Sequence, residues 1–237
     1  MSRRIPLFLL AATALFSTAA FAQAPTSVKI GVLNDQSGVY ADFGGKWSLE
    51  AARLAVEEMK PQLGDMKVEL VTADHQNKPD IASTIARQWF DVDGVDMITE
   101  LTTSSVALAV QDIAREKKKI NMVVGAATAR LTGDACSPTG FHWAYDTRAL
   151  AVGTGAEVVK DGGDTWFFLT ADYAFGHQLE KDTTDIVVQS GGKVLGSVRH
   201  PLNTADFSSF LLQAQSSRAK IVGLANAGLD TNNAIKQ

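Results

Sequence analysis

Short apolar runs alternate along the chain with stretches in which apolar side chains recur every three or four residues, beginning at Val28. Residues 28–33 read as a buried strand, and Trp47, Ala51, Leu54, Ala55 and Met59 then share one face of a helix that Pro61 is expected to stop. Val68, Leu70 and Val71 mark a second strand, and Pro79 opens a helix carrying Ile81, Ile85 and Trp89 on one side. Residues 95–98 predict a third strand, Val106, Val110, Ile113 and Ala114 the helix after it, and residues 120–124 a fourth strand. Strands separated by single amphipathic helices are expected to lie parallel, in a sheet covered on both faces.

Residues 131–148 interrupt this rhythm. Gly133, Asp134, Pro138 and Gly140 make the stretch turn-rich, with a short apolar piece at residues 141–143. The alternation then restarts: a strand over 165–169, a helix over 175–188 and a strand over 194–198. Phe207, Phe210, Leu211 and Ala214 line a further helix that Thr204 is placed to cap, and residues 221–224 form the last strand. The fold class is therefore α/β, with two parallel-sheet units in series, 23–146 and 147–237, and a cleft expected between them.

The first residues change the picture of where the chain works. Arg3 and Arg4 precede an apolar run from Ile5 to Phe16, and Ala20-Phe21-Ala22 forms a small-x-small cleavage pattern before Gln23. This is the layout of a secretory signal peptide, residues 1–22. The apolar run is shorter than the roughly 20 residues a membrane span needs. Without Arg3 and Arg4 the formal charge moves from −4 to −6. An acidic chain whose one basic run is Lys117-Lys118-Lys119 is not expected to bind nucleic acid. A single cysteine, Cys136, excludes an internal disulfide.

Candidate chemistry sits where parallel sheets place ligands, in the loops leaving the carboxyl ends of strands. Thr102-Thr103-Ser104-Ser105 follows the third strand and leads into a helix, where N–H groups and the positive helix end favour an anion. Gly125-Ala126-Ala127-Thr128 follows the fourth strand with small residues that allow close backbone approach. Each loop taken alone fits a helix or turn cap; together, at equivalent strand ends, they fit a carboxylate site. After the first strand, residues 34–45 carry the aromatics Tyr40 and Phe43 among turn formers, and Tyr173 and Phe175 follow the first strand of the second unit. These rings suit either closure over an apolar ligand body or packing between the units.

Enzyme signatures are weak. Tyr40 and Trp47 occupy the first glycine and the hydroxyl positions of a would-be phosphate loop around Gly44-Gly45-Lys46, and no Gly-x-Ser-x-Gly elbow occurs. His75, His142, His177 and His200 lack metal-ligand spacing, and no cofactor is expected. Asp74 reads as the cap of the turn after its strand.

Ile30-Gly31-Val32 running into Ser37-Gly38, Ala41-Asp42-Phe43-Gly44, Thr103-Ser104-Ser105 before Ala107 and Ala109, Gly125-Ala126-Ala127-Thr128 and the turn from Tyr173 to Gly176 resemble, in order and spacing, the branched-chain amino-acid (Leu/Ile/Val-binding) family of ABC transporter periplasmic proteins. The resemblance spans nearly all of the chain after the signal segment. It implies a periplasmic binding protein of type I, two Rossmann-like lobes joined by a hinge near residues 145–148, the second lobe unfinished at Gln237. It further implies an extracytoplasmic component of an importer, a monomer that holds a small carboxylate-bearing molecule and meets a membrane permease. A ligand-sensing receptor domain of the same fold is the first alternative and an exported α/β enzyme the second. The implied ligand residues are Tyr40, Phe43, Thr103, Ser104, Ser105, Ala126, Thr128, Tyr173, Phe175 and Asn226, and the family's aromatic hydroxyls are replaced by Phe at positions 43 and 175. That replacement widens the expected ligand class from branched-chain amino acids to aromatic and other organic acids.

Overall fold

The computed structural model describes residues 26–237, so the signal-peptide reading concerns residues outside it. In chain order the elements are β1 (Ser27–Asn34), α1 (Gly45–Leu63), β2 (Lys67–Asp74), α2 (Pro79–Asp91), β3 (Met97–Glu100), α3 (Ser104–Lys117), β4 (Ile120–Val123), β5 (Gly140–His142), α4 (Thr147–Lys160), β6 (Thr165–Ala171), α5 (Ala174–Gln189), β7 (Lys193–His200), α6 (Ser208–Ser216), β8 (Ile221–Ala225) and α7 (Gly228–Lys236). Among the described residues they build two parallel sheets, ordered β2-β1-β3-β4-β5 and β7-β6-β8. The alternation of strand and helix dictates this, because parallel neighbours need a crossover long enough to hold a helix.

The first sheet is organised around β1, paired from Ser27↔Lys67 to Asn34↔Asp74 with β2 and from Ile30↔Met97 to Leu33↔Glu100 with β3. Leu33, Ile98 and Val123 pack with Trp89 and Phe90 of α2 and Val106, Val110 and Ile113 of α3 into one core. In the second sheet Trp166 and Phe168 pack with Val187 and Val159 on one face, while Leu169 meets Phe207 and Ala234 on the other. Alternate residues of β6 thus feed opposite cores, as the period of two requires.

Several boundaries differ from the sequence expectation. Pro61 does not stop α1, which continues to Leu63 and ends at Gly64, whose φ of 58° lies in the left-handed region. In the last turn the ring removes one N–H and leaves the rest of the helix intact. The stripe of Trp47, Leu54 and Met59 is present but exposed, although α1 meets the sheet along β1 and β2. Strand β3 starts at Met97, since the Val95 N–H closes the preceding turn on the Trp89 carbonyl (2.9 Å), although Val95 itself stays in the core. Thr204 does not cap α6: its hydroxyl donates to the Pro201 carbonyl at 2.7 Å, and Asp206 Oδ1 accepts from the Ser208 N–H at 2.9 Å. The apolar piece expected at 141–143 is β5, the edge strand beside β4.

Gly31 shows how tightly the first core is built. A Cβ there would lie 2.4 Å from Trp89 Cζ3, so the indole rests directly on the β1 backbone. Gly31→Ala is expected to destabilise the chain by about 1–3 kcal/mol through overpacking. Urea unfolding followed by tryptophan fluorescence reads this as a lower midpoint.

Candidate functional site

In a parallel sheet the strand order reverses between β1 and β3, and in the second sheet between β6 and β8, and crevices open at such switch points. A cavity of about 260 Å³ lies where the two switch points face each other. Tyr40 and Phe43 reach it from the loop after β1, Glu100, Thr102 and Ser104 from the end of β3 and start of α3, and Gly125 and Ala127 from the loop after β4. Phe175 and Ala227 close it from the second unit, and Tyr145 stands in the segment joining the two.

The first loop takes its shape from Asp35. The side chain is fully buried and accepts from the Gly38 N–H (2.8 Å), the Tyr40 N–H (2.9 Å) and Asn77 Nδ2 (2.6 Å). A Cβ on Gly38 would fall 2.6 Å from Asn77 Nδ2 and 2.7 Å from Asp35 Oδ2, so glycine is what lets the loop wrap the carboxylate. The Asp35 N–H donates to Thr102 Oγ1 at 3.2 Å, and the Thr103 hydroxyl bonds Asn77 Oδ1. Asp74 caps as expected, accepting from the Gln76 and Gln36 N–H groups and from Ser37 Oγ.

The hydroxyls of the α3 entry do not cap their helix. Thr103 stands at the N-cap without a side-chain cap bond, and Ser104 Oγ accepts from the Thr128 N–H at 3.3 Å, linking the loops after β3 and β4. Thr128 is fully buried, and its Oγ1 has no partner among the described residues. A Cβ on Gly125 would sit 2.8 Å from Thr102 Cα, so the two loops approach at backbone distance.

Of the ten residues expected at the site, Tyr40, Phe43, Ser104 and Phe175 line the cavity. Thr103, Ala126 and Thr128 are buried directly behind it, and Ser105 lies within the first turn of α3. Tyr173 meets Tyr40 across the units, hydroxyl to hydroxyl at 2.6 Å. Burial pushes both phenols above their usual range, which keeps both protonated, so one hydroxyl donates to the other. Asn226 serves the second unit: its Nδ2 faces His200 Nε2 at 3.0 Å and its Oδ1 accepts from Thr231 Oγ1 at 2.7 Å. It lines a separate apolar groove of about 480 Å³ beside β8, with Trp166, Phe168 and Phe175.

Glu100 and Tyr145 were not anticipated at the cavity, and Thr102, part of the expected hydroxyl run, lines it although it was not among the ten residues. An acid closing a short strand reads as a solvated end, yet Glu100 is only 8% exposed. Its φ of 81°, followed by 56° at Leu101, is a left-handed pair of non-glycine residues, and no sequence signal marks it. Burial raises its pKa, opposed by a hydrogen bond from Ser48 Oγ to Oε1 at 2.8 Å. Among the described residues no group of three or more His, Cys, Asp or Glu is placed to hold a metal ion, and no helix is long and apolar enough to cross a membrane.

Comparison with known proteins agrees with this arrangement. The family model described as periplasmic binding protein matches residues 27–237. A periplasmic binding protein from Burkholderia mallei is 57% identical, with a TM-score of 0.87 over 89% of this chain and 56% of that one. An ABC transporter solute binding protein from R. palustris, solved in complex with 4-hydroxybenzoate, is 27% identical, with a TM-score of 0.79 over 89% of this chain and 57% of that one. A Leu/Ile/Val-binding protein homolog from Brucella abortus is 27% identical over 212 residues, 89% of this chain and 54% of the relative. The chain thus spans about half the length of the relatives it matches.

Beneath the first loop, His75 is fully buried; its Nδ1 accepts from the Asn77 N–H at 3.0 Å, and its Nε2 has no partner among the described residues. Burial pulls its pKa from 6.5 down to about 4, against the opposing pull of Asp35 and Asp74. The folded state therefore binds fewer protons than the unfolded state between those values, and stability falls as pH drops through that window, by at most on the order of 3 kcal/mol. Thermal unfolding in a pH series from 7 to 4 is expected to show a shallower slope in His75→Gln than in the parent chain.

Proposed function

The chain belongs to the periplasmic binding protein family, and from that footing we propose that it holds a small carboxylate-bearing ligand between its two sheets and presents it to the permease of an ABC importer. The observation that carries this reading is the cavity itself, walled at both switch points by hydroxyls and small residues on one side and aromatic rings on the other. The carboxylate docks on the first-unit loops, where Ser104 and the first N–H groups of α3 supply donors at the positive end of a helix, with the partnerless Thr128 hydroxyl buried behind them. Phe43, Tyr145 and Phe175 cover the apolar body. Residues 23–146 and 147–237 act as two lobes, with the segment around 145–148 as hinge, and residues 1–22 deliver the chain to the periplasm as a cleaved signal. The protein works as a monomer without a cofactor and carries out no catalysis.

Hinge closure supplies the mechanism. The Tyr40–Tyr173 hydroxyl pair and the Leu229 N–H to Val39 carbonyl contact (3.4 Å) join the lobes across the cleft. Gly228 allows this approach, since a Cβ there would lie 2.5 Å from the Val39 carbonyl oxygen. Ligand that contacts both lobes stabilises this form over an open one, and the difference in its affinity for the two forms sets the extent of closure.

A thermal-shift panel of aliphatic amino acids, benzoates and short organic acids tests the reading: one carboxylate class is expected to raise the melting temperature. If no carboxylate does so, the reading fails. Against a stabilising ligand, Ser104→Ala and Thr128→Ala should each weaken binding by about 1–3 kcal/mol by calorimetry; parent-like affinity in both places the site elsewhere. Tyr173→Phe removes the inter-lobe hydroxyl bond, and solution scattering of the unliganded chain should then show a larger radius of gyration.

A further inference from the structure

Resting on the carboxylate-binding reading above, we infer that Asn77 is the positioning residue of the α3 entry. By holding the Thr103 hydroxyl it keeps Thr103 from capping its own helix, and so leaves the first N–H groups of α3 free for a ligand carboxylate.

Thr103 has what a cap needs. It stands at the N-cap with φ −102° and ψ 129°, the extended backbone from which a threonine oxygen accepts from the second or third helical N–H. Asp146 does this for α4, accepting from the Ala149 N–H at 2.7 Å. Thr103 makes no such bond; its hydroxyl donates to Asn77 Oδ1 instead. Among the described residues no loop carbonyl takes the Ser105 or Val106 N–H either. Thr103, Ser104 and Val106 are all buried, and a buried helix end without partners is unfavourable by itself. An anion accepting from these N–H groups removes the deficit. The Thr128 hydroxyl, buried and partnerless beside the Ser104 contact, belongs to the same unfilled end.

Asparagine suits the task because one short side chain must donate and accept at once. Nδ2 donates to Asp35 Oδ2 at 2.6 Å while Oδ1 receives Thr103. Aspartate would set a second charge against Asp35, and serine would offer one group where two are needed. The φ of 57° at Asn77 lies in the left-handed region, which asparagine enters more readily than most side chains, and its N–H donates to His75 Nδ1 at 3.0 Å. The carboxylate that fixes the first loop thus also fixes which way Thr103 points. Asn77 itself does not line the cavity, so it acts on the ligand only through Thr103.

Calorimetric titration with L-leucine, benzoate and 4-hydroxybenzoate compares the parent chain, Asn77→Gly and Asn77→Gly/Thr103→Val. Glycine keeps the left-handed backbone and frees the Thr103 hydroxyl to cap α3, whereas valine at 103 keeps the shape but cannot cap. A probe that the parent chain binds is expected to lose about fivefold to tenfold in Asn77→Gly, the range of a capping bond, and to regain roughly threefold or more in the double variant. A merely structural Asn77 predicts the opposite, because a second lesion in a loosened loop weakens binding further. Unchanged affinity in Asn77→Gly, or a smaller gain in the double variant, overturns the inference and leaves the carboxylate site standing. Absence of binding by all three probes in the parent chain overturns the inference together with the reading on which it rests. Thermal unfolding checks that both variants are folded during titration. Should Asn77→Gly fail to fold, amide exchange in the parent chain decides: the Ser105 N–H is expected to exchange fast without ligand and to slow with it, and equal protection in the two states overturns the inference.

Discussion

The Asp35 carboxylate is fully buried and has three donors on it: two backbone N–H groups of its own loop and the Asn77 amide. Moving a carboxylate out of water is tolerable when its lone pairs are filled in this way, and removing a partner leaves a buried charge exposed to that penalty. The loop after β1 is consequently fixed, and so is everything that leans on it. Asn77 passes the constraint to Thr103, and the Asp35 N–H passes it to Thr102, so the loops after β1, β2 and β3 behave as one block. The cavity wall is the outer surface of that block.

The second unit repeats the device with different residues. Asp230 is fully buried at the start of α7 and accepts from the Asn203 and Thr204 N–H groups, at 3.2 and 2.9 Å. His200 completes it, with Nδ1 facing the Pro201 carbonyl and Nε2 facing the Asn226 amide, an arrangement that fits the neutral ring protonated on Nδ1. Each unit therefore holds a rigid loop cluster over its strand ends by burying an acid, and the cavity is the space between two stiff rims. Pre-set rims of this kind reduce the ordering that binding must impose on the protein.

Most of the fold was legible because it rests on periodicity. The switch between periods of two and of three to four places every strand except the short β5, and the rule about strand ends selects the loops that line the cavity. What escaped has local physical causes. The exposure of the α1 stripe depends on what surrounds it, which the pattern Trp47–Leu54–Met59 does not encode. Glu100 was passed over because inward aim comes from a left-handed backbone, and nothing in Thr-Glu-Leu-Thr announces one. Asn226 was drawn toward the ligand by its place after β8, while its amide is committed to His200 and Thr231. The hydroxyl run at 102–105 was the clearest signal, and the structure divides it: Thr102 and Ser104 line the cavity, while Thr103 is spent on Asn77.

The hydroxyl pair between Tyr40 and Tyr173 has a quantitative side. A neutral hydrogen bond contributes about 1 kcal/mol net, so the bond at this clasp adds a small bias toward the joined form. Apparent affinity equals intrinsic affinity multiplied by the fraction of molecules already in the competent form. On the proposed reading, then, the concentration range over which the protein responds is set in part at the clasp. Sequence drift at positions 173 and 228, which lie outside the cavity lining, would retune sensitivity for a scarcer or more abundant ligand.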